Sequence, residues 1–406
     1  MQIRRRRVFF IEGYEPKGAD GFHHLFRREW NRFRKNWGVT GTLQDIHFDS
    51  DDIASWELET IGPNWQVSTR YEFLRLEHQI RANLAQPILL QIMRALRWMA
   101  GDLATGSLWR VFRASWRMGV LLSYSQVLLI VWLGLTLAGG WFAARLADAW
   151  SFSGFAQLTL GAIAMFGGFA LLRPIAGAMF VNQLNNCWPY LREFARGTPT
   201  GFDRSVEILA ERIVTAAKAG DADEILVVGH SAGAMLALAT MKRALEVDPN
   251  LGIRRPDVAV VTVGSIMPIF AMHPAASKLR DTIEAVSTEP TVLWADCQAR
   301  EDFMNFSGFD PVAGVGIDSG ARRCNPVLWQ IPFQAMISPV TFKRMRFNYW
   351  RKHYQYIMSN ERRAAYDYYM FVCGPAPFSL WAGQENLGEA FAPDGSYRVP
   401  DLKAAE

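Results

Sequence analysis

Apolar residues fall along this chain in three patterns. Short, largely continuous apolar runs at 8–11, 225–228, 258–263 and 291–295 are bounded by turn residues and predict strands buried on both faces. The second pattern has helical period. Phe22, Leu25, Phe26, Trp30 and Phe33 share one face of residues 18–37, and Val206, Leu209, Ile213 and Ala216 share one face of residues 202–219, which Gly220 stops. Residues 40–47 and 53–61 predict short strands, the second breaking at Gly62-Pro63, and from Tyr71 the pattern turns helical and basic as far as Trp116-Arg117. Strands alternating with helices predict an α/β fold with a mostly parallel sheet flanked by helices.

The third pattern interrupts the second. Residues 118–144 carry no charged side chain, and neither do residues 149–172. About 20 apolar residues suffice to cross a bilayer as a helix, the one open-ended structure that satisfies its own backbone hydrogen bonds there. Two spans are therefore expected, forming a transmembrane hairpin in which Ala164 and Gly168, four apart, allow close helix approach. Arg94, Arg97, Arg110, Arg113 and Arg117 precede the first span, and Arg173, Arg192 and Arg196 follow the second, while the connector holds only Arg145, partly offset by Asp148. The positive-inside rule puts the flanks in the cytoplasm and the connector outside. The chain is thus expected to be a multi-pass membrane protein, of a bacterial inner membrane if the source is bacterial, with the membrane lipid bilayer as a partner.

Composition refines this picture. Half of the 406 residues are hydrophobic and a fifth are charged, an excess concentrated in those two runs. The net charge of +4 is scattered, with no basic face interleaved with aromatics, so nucleic acid is not an expected partner. Cys187, Cys297, Cys324 and Cys373 are far apart and predict free thiols in a reducing compartment. Arg4, Arg5, Arg6 and Arg7 precede an apolar run too short for a signal peptide and are expected as a basic lead-in to the first strand. No H-E-x-x-H, P-loop or G-x-G-x-x-G occurs, Gly314, Gly316 and Gly320 being wrongly spaced, so neither metal nor organic cofactor is expected. His23 and His24 lack a partner at ligand spacing and are expected as packing or surface residues.

One stretch carries chemistry. Gly229-His230-Ser231-Ala232-Gly233 follows a β-branched apolar run and precedes a helix-forming segment, the strand–turn–helix setting of a G-x-S-x-G nucleophile elbow. The flanking glycines leave room where a sharp turn crowds strand against helix, and Ser231 is presented at the strand's C-terminal end. Through these residues the chain resembles the α/β-hydrolase superfamily of serine esterases and lipases, at its two ends and not in its middle. The resemblance implies a hydrolase fold interrupted by the transmembrane hairpin, an oxyanion hole that includes the Ala232 N–H, and a second donor from the loop after an early strand, where Gly13 or Tyr14 stands.

It also implies a chain order of Ser, then Asp or Glu, then His. Of the seven histidines only His273 and His353 follow Ser231, and only His353 follows the strand at 291–295 and its acidic residues. His353 is therefore the expected base. The superfamily's acid usually lies a few residues past its strand, which favours Asp302, with Asp296 the first alternative and Asp310 another. His230 is expected to pack and not to act as base. The expected activity is hydrolysis of an acyl ester, small or lipid-borne, through an acyl-enzyme. An acyltransferase or thioesterase with the same residues, or a silent membrane scaffold, are the alternatives. The expected organisation is residues 1–90 as the first part of the hydrolase domain, 91–184 as basic lead-in and hairpin, 185–380 as the hydrolase core, and 381–406 as a loose tail.

Overall fold

The fully buried strand β6 (Glu224–His230) lies near the middle of the sheet that positions everything else. In the computed structural model, which describes residues 2–382 and 390–398, eight further strands join it: β1 (Arg5–Ile11), β2 (Thr40–Leu43), β3 (His47–Phe48), β4 (Ile53–Ile61), β5 (Gln66–Leu74), β7 (Asp257–Val263), β8 (Leu293–Gln298) and β9 (Val327–Gln330). The order is β2-β4-β5-β1-β6-β7-β8-β9, with β3 beside β4. From β5 to β9 all neighbours are parallel, and the β2, β3 and β4 edge is antiparallel. The protein is therefore α/β with a mostly parallel, mixed sheet flanked by helices.

Three expectations change in the unit that holds the sheet. Tyr71 does not begin a helix: it lies in β5, where Val67, Thr69, Tyr71 and Phe73 are all buried on one face and Tyr71 pairs with Val8 of β1. Pairing with the N-terminal strand β1 overrides the local helical preference. Arg5, Arg6 and Arg7 of the arginine lead-in are part of β1, and Arg6 is buried. Its guanidinium reaches Glu224 at 2.7 Å and donates to the carbonyls of Gly374 and Ala376, so the charge is neutralised and its donors are used. Residues 390–398 are not loose. Phe391 and Tyr397 are buried, Phe391 packs on Trp37, and Trp65 Nε1 donates to the Gly395 carbonyl at 2.9 Å. The rest of the expected tail, 383–389 and 399–406, lies outside the described residues.

Helix Gly18–Trp37 lays Phe22, Phe26, Trp30 and Phe33 on the sheet, with Phe22 stacked on Phe10 at 4.4 Å and Leu25 half-buried. His23 is a packing residue, edge-on to Trp56, and His24 is exposed.

The chain divides into two units, residues 1–81 with 193–406 and residues 82–192. The second unit is wider than the expected 91–184. Helix Ile88–Ala104 and helix Val181–Arg196 are joined in it by a buried Arg192–Asp102 ion pair and by Trp98 stacked on Trp188. Within it, helices Trp116–Ala149 and Gly154–Ala178 are long and apolar enough to cross a membrane. The second starts at Gly154 and not at residue 149, because Ser151 to Ser153 form the turn, and it continues through Arg173. Closest approach falls at Gly140 and Gly161: a Cβ on Gly140 would lie 2.8 Å from the Gly161 carbonyl oxygen. Gly168 contributes less, facing Thr136 at 3.9 Å.

Candidate active site

Parallel pairing brings Ile11 of β1 opposite Gly229 of β6, so the turn after β1 and the turn after β6 meet at one end of the sheet. Ser231 sits in the second turn with φ 57°, a left-handed conformation that costs a residue with a Cβ about 1–3 kcal/mol and persists only where its surroundings impose it. Those surroundings are visible. The Ser231 N–H donates to the Val263 carbonyl at 3.0 Å, and helix Gly233–Val247 starts two residues on.

The two glycines are required by backbone, not by flexible neighbours. A Cβ on Gly229 would lie 2.6 Å from the Gly233 carbonyl oxygen, and one on Gly233 would press on the carbonyl oxygens of Ile11 and Glu12. Gly233→Ala is therefore expected to destabilise the protein by about 3 kcal/mol, at the upper end of ordinary overpacking. A thermal unfolding midpoint equal to the wild type's would contradict this.

Gly13 approaches closely. A Cβ there would lie 3.1 Å from Ser231 Cβ and 3.4 Å from its Oγ. Ala232, buried, stands at the N-terminus of the helix, where first-turn amides have no intrahelical acceptor. Tyr14 is buried in the same turn as Gly13.

His353 ends the short helix Tyr349–His353 and is buried, as is Asp302. Its Nδ1 lies 2.7 Å from Asp302 Oδ2, while Asp302 Oδ1 accepts the Met304 N–H at 2.8 Å. Burial opposes ionisation of Asp302, but the nearby His353 charge and these hydrogen bonds outweigh it and hold the carboxyl below its ordinary 3.8. Bonding of Nδ1–H to a carboxylate leaves Nε2 as the basic nitrogen of the ring.

The other acids are occupied elsewhere. Asp296 lies within β8, bonded to Thr262 and Gln298, and burial pushes it up to about 6. Asp310 holds Arg323 through both oxygens at 2.7 and 3.0 Å. His273 Nδ1 accepts the Ala275 N–H.

His353 and Ser231 both border the end of β7. Ser231 bonds Val263, and a Cβ on the next residue, Gly264 (φ 57°), would lie 3.1 Å from His353 Cε1. His230 is the second link. Its Nε2 donates to the His353 carbonyl at 3.1 Å, and the two rings lie 4.8 Å apart. Burial first, and the His353 charge second, push His230 down to about 3.

A pH effect follows from that shift. The unfolded chain takes up this proton near 6.5 and the folded protein only near 3, so the contribution of His230 to stability is lost as pH falls between those values. The stability gap between wild type and His230→Asn is expected to shrink by roughly 3 kcal/mol from pH 7 to pH 4. A gap that stays constant in thermal unfolding across that range would show an unshifted histidine.

Sequence reasoning missed Gly264 and a neighbouring pair. Tyr354, edge-on to His230, donates to Glu12 at 3.2 Å and to Glu15 at 3.4 Å, and burial raises Glu12 well above its ordinary value. The available signals were a glycine directly after a buried strand and a glutamate directly after another.

Compared with known proteins, the chain matches no family model, no curated sequence and no solved structure.

Proposed function

We propose that this chain is a membrane-anchored serine hydrolase of the α/β-hydrolase type that cleaves acyl esters through an acyl-enzyme. The observation that carries the reading is the left-handed Ser231 turn beside a buried His353–Asp302 pair 2.7 Å apart. Ser231 Oγ attacks the ester carbonyl carbon while His353 Nε2 takes its proton. Asp302 stabilises the resulting imidazolium, and the N–H groups of Ala232 and of Gly13 or Tyr14 stabilise the oxyanion. The carbonyl re-forms as the alcohol leaves with the proton from His353. Water, deprotonated by His353, then attacks the acyl-enzyme and releases the acid.

The membrane part rests on exposure as well as length. A core helix hides its apolar residues, yet in the most apolar stretch of Gly154–Ala178 only 6% of residues are buried, and Phe155 is 82% exposed. Strands β1 and β6 are direct neighbours in one sheet, so the chain that leaves for these helices has to return to the same side, which a hairpin does. The arginine-rich flanks put that side in the cytoplasm. A lipid-borne ester is the substrate that an anchored hydrolase meets at highest concentration.

The test is labelling of detergent-solubilised, folded protein by a fluorophosphonate, followed by comparison of acylglycerol and phospholipid hydrolysis with that of a soluble short-chain ester. Labelling is expected, with faster turnover of the lipid esters. Folded wild type that takes up no label would overturn the activity, and equal turnover of both ester classes would overturn the substrate class.

A further inference from the structure

The two long helices fix a level in the membrane. A hydrocarbon core of about 30 Å takes about 20 helical residues. Counted from the ends of the uncharged stretches at the connector, Ala144 on the first helix and Gly154 on the second, it ends near Ser125 and near Arg173, with Leu129 and Trp132 about one to two turns inside that boundary. Trp132 stacks on Phe169 at 4.5 Å, which confirms that these positions lie at similar depth.

Helix Ile88–Ala104 is attached at that level. Its Ala95 belongs to one apolar cluster with Leu129, Trp132, Ala176 and Val181, and Ile92 packs on the same cluster. The helix carries Arg94, Arg97 and Asp102 and cannot itself span a bilayer. Its outward face is nevertheless apolar. Leu89, Met93, Arg97, Ala100 and Leu103 form one exposed stripe at helical spacing, with Leu89 66%, Met93 52% and Leu103 60% exposed. Arg97 and Arg173 are exposed, and neither forms an ion pair among the described residues.

We infer that the outward face of helix Ile88–Ala104 is a phospholipid-binding surface, lying in the cytoplasmic leaflet's headgroup boundary. Leu89, Met93 and Leu103 dip toward the acyl chains, and Arg97 with Arg173 binds the phosphate of anionic lipids. This rests on the membrane-spanning reading and not on the hydrolase one. Two observations select lipid over another occupant: continuity with the apolar surface of the long helices through Ile92 and Ala95, and two unneutralised cations at headgroup depth.

The experiment uses the full chain in phosphatidylcholine–phosphatidylglycerol vesicles, with Cys324→Ser removing the exposed thiol while the other three cysteines are buried. A nitroxide is placed at Met93→Cys, at Leu137→Cys in the long helix and at the exposed Arg254→Cys, and collisions with oxygen and with a neutral nickel chelate are compared. Met93 is expected to resemble Leu137, favouring oxygen. If Leu137 favours oxygen but Met93 is as open to nickel as Arg254, the inference fails and the spanning helices stand. If Leu137 is also open to nickel, the spanning reading itself fails. Dipolar broadening at Met93 would overturn the inference in favour of a second copy of the chain.

The charge contact has its own readout. Retention of phosphatidylglycerol by the purified protein, read by native mass spectrometry, is expected to fall about fivefold for each of Arg97→Gln and Arg173→Gln. Retention unchanged in the double variant would overturn the phosphate contact. A thermal unfolding midpoint and a circular dichroism spectrum equal to the wild type's would mark these variants as folded.

Discussion

Ser231→Ala is expected to abolish fluorophosphonate labelling and to lower ester turnover by about 10⁶-fold, the loss seen where nucleophile and base act as one unit. The size follows from what is removed. The hydroxyl is the only group in the turn that can form the covalent bond, and without the acyl-enzyme His353 and the oxyanion donors act only on a water that is not held against the ester carbonyl. The alternative explanation, that the variant misfolds, is tested by Ser231→Gly. The left-handed conformation at φ 57° strains any residue with a Cβ, and glycine adopts it freely, so this variant is expected to be inactive yet about 1 kcal/mol more stable than the wild type. An inactive, stabilised Ser231→Gly separates chemistry from folding. Residual turnover at the wild-type level in either variant would assign the activity to another group.

Why some of this was legible in the sequence and some was not has a physical basis. The run Ile225 to Val228 followed by Gly229 and Gly233 encodes its environment locally. A strand buried on both faces must be apolar throughout, and a turn whose neighbours are backbone carbonyls must lack a Cβ. The long helices were legible for the same reason, since a uniform environment imposes a uniform composition.

Strand β5 was not, although Val67, Thr69, Tyr71 and Phe73 alternate. Its other face carries Arg70 and Glu72, and the buried Glu72 is neutralised by Arg7 of β1 and Arg212 of a distant helix as well as by Arg70 beside it. A charged residue with partners 65 and 140 positions away looks like surface when read locally. Arg6, paired with Glu224, misleads in the same way. The choice among Asp296, Asp302 and Asp310 depends on the path of the loop after β8. The side chains of Gln298 and Asn305 bond to backbone carbonyls there, and no periodicity reports them.

That choice supports the sharpest discrimination. Asp302→Asn is expected to lower turnover by about 10⁴-fold with little loss of stability. The amide oxygen can still accept the Met304 N–H, but the amide nitrogen then faces His353 Nδ1 and drives the ring hydrogen to Nε2, so the ring can no longer take the serine proton. Asp296→Asn is expected to do the reverse. Asp296 touches no part of His353; its oxygens accept from Thr262 and from Gln298 Nε2, and an amide placed against Gln298 loses one acceptor, costing about 1 kcal/mol of stability while turnover stays within a few-fold.

Acid separates the two residues further. Asp302, held below 3.8, contributes stability that is present above that value and is lost as pH falls through its folded-state pKa. Asp296, raised to about 6, binds its proton more tightly when folded, so its contribution is full below 3.8 and is lost as pH rises toward 6. The stability difference between wild type and each variant should therefore slope in opposite directions with pH. If Asp296→Asn lost labelling while Asp302→Asn kept it, the carboxylate that orients His353 in the working enzyme would be the one inside the strand, and the loop after β8 would have to move before catalysis.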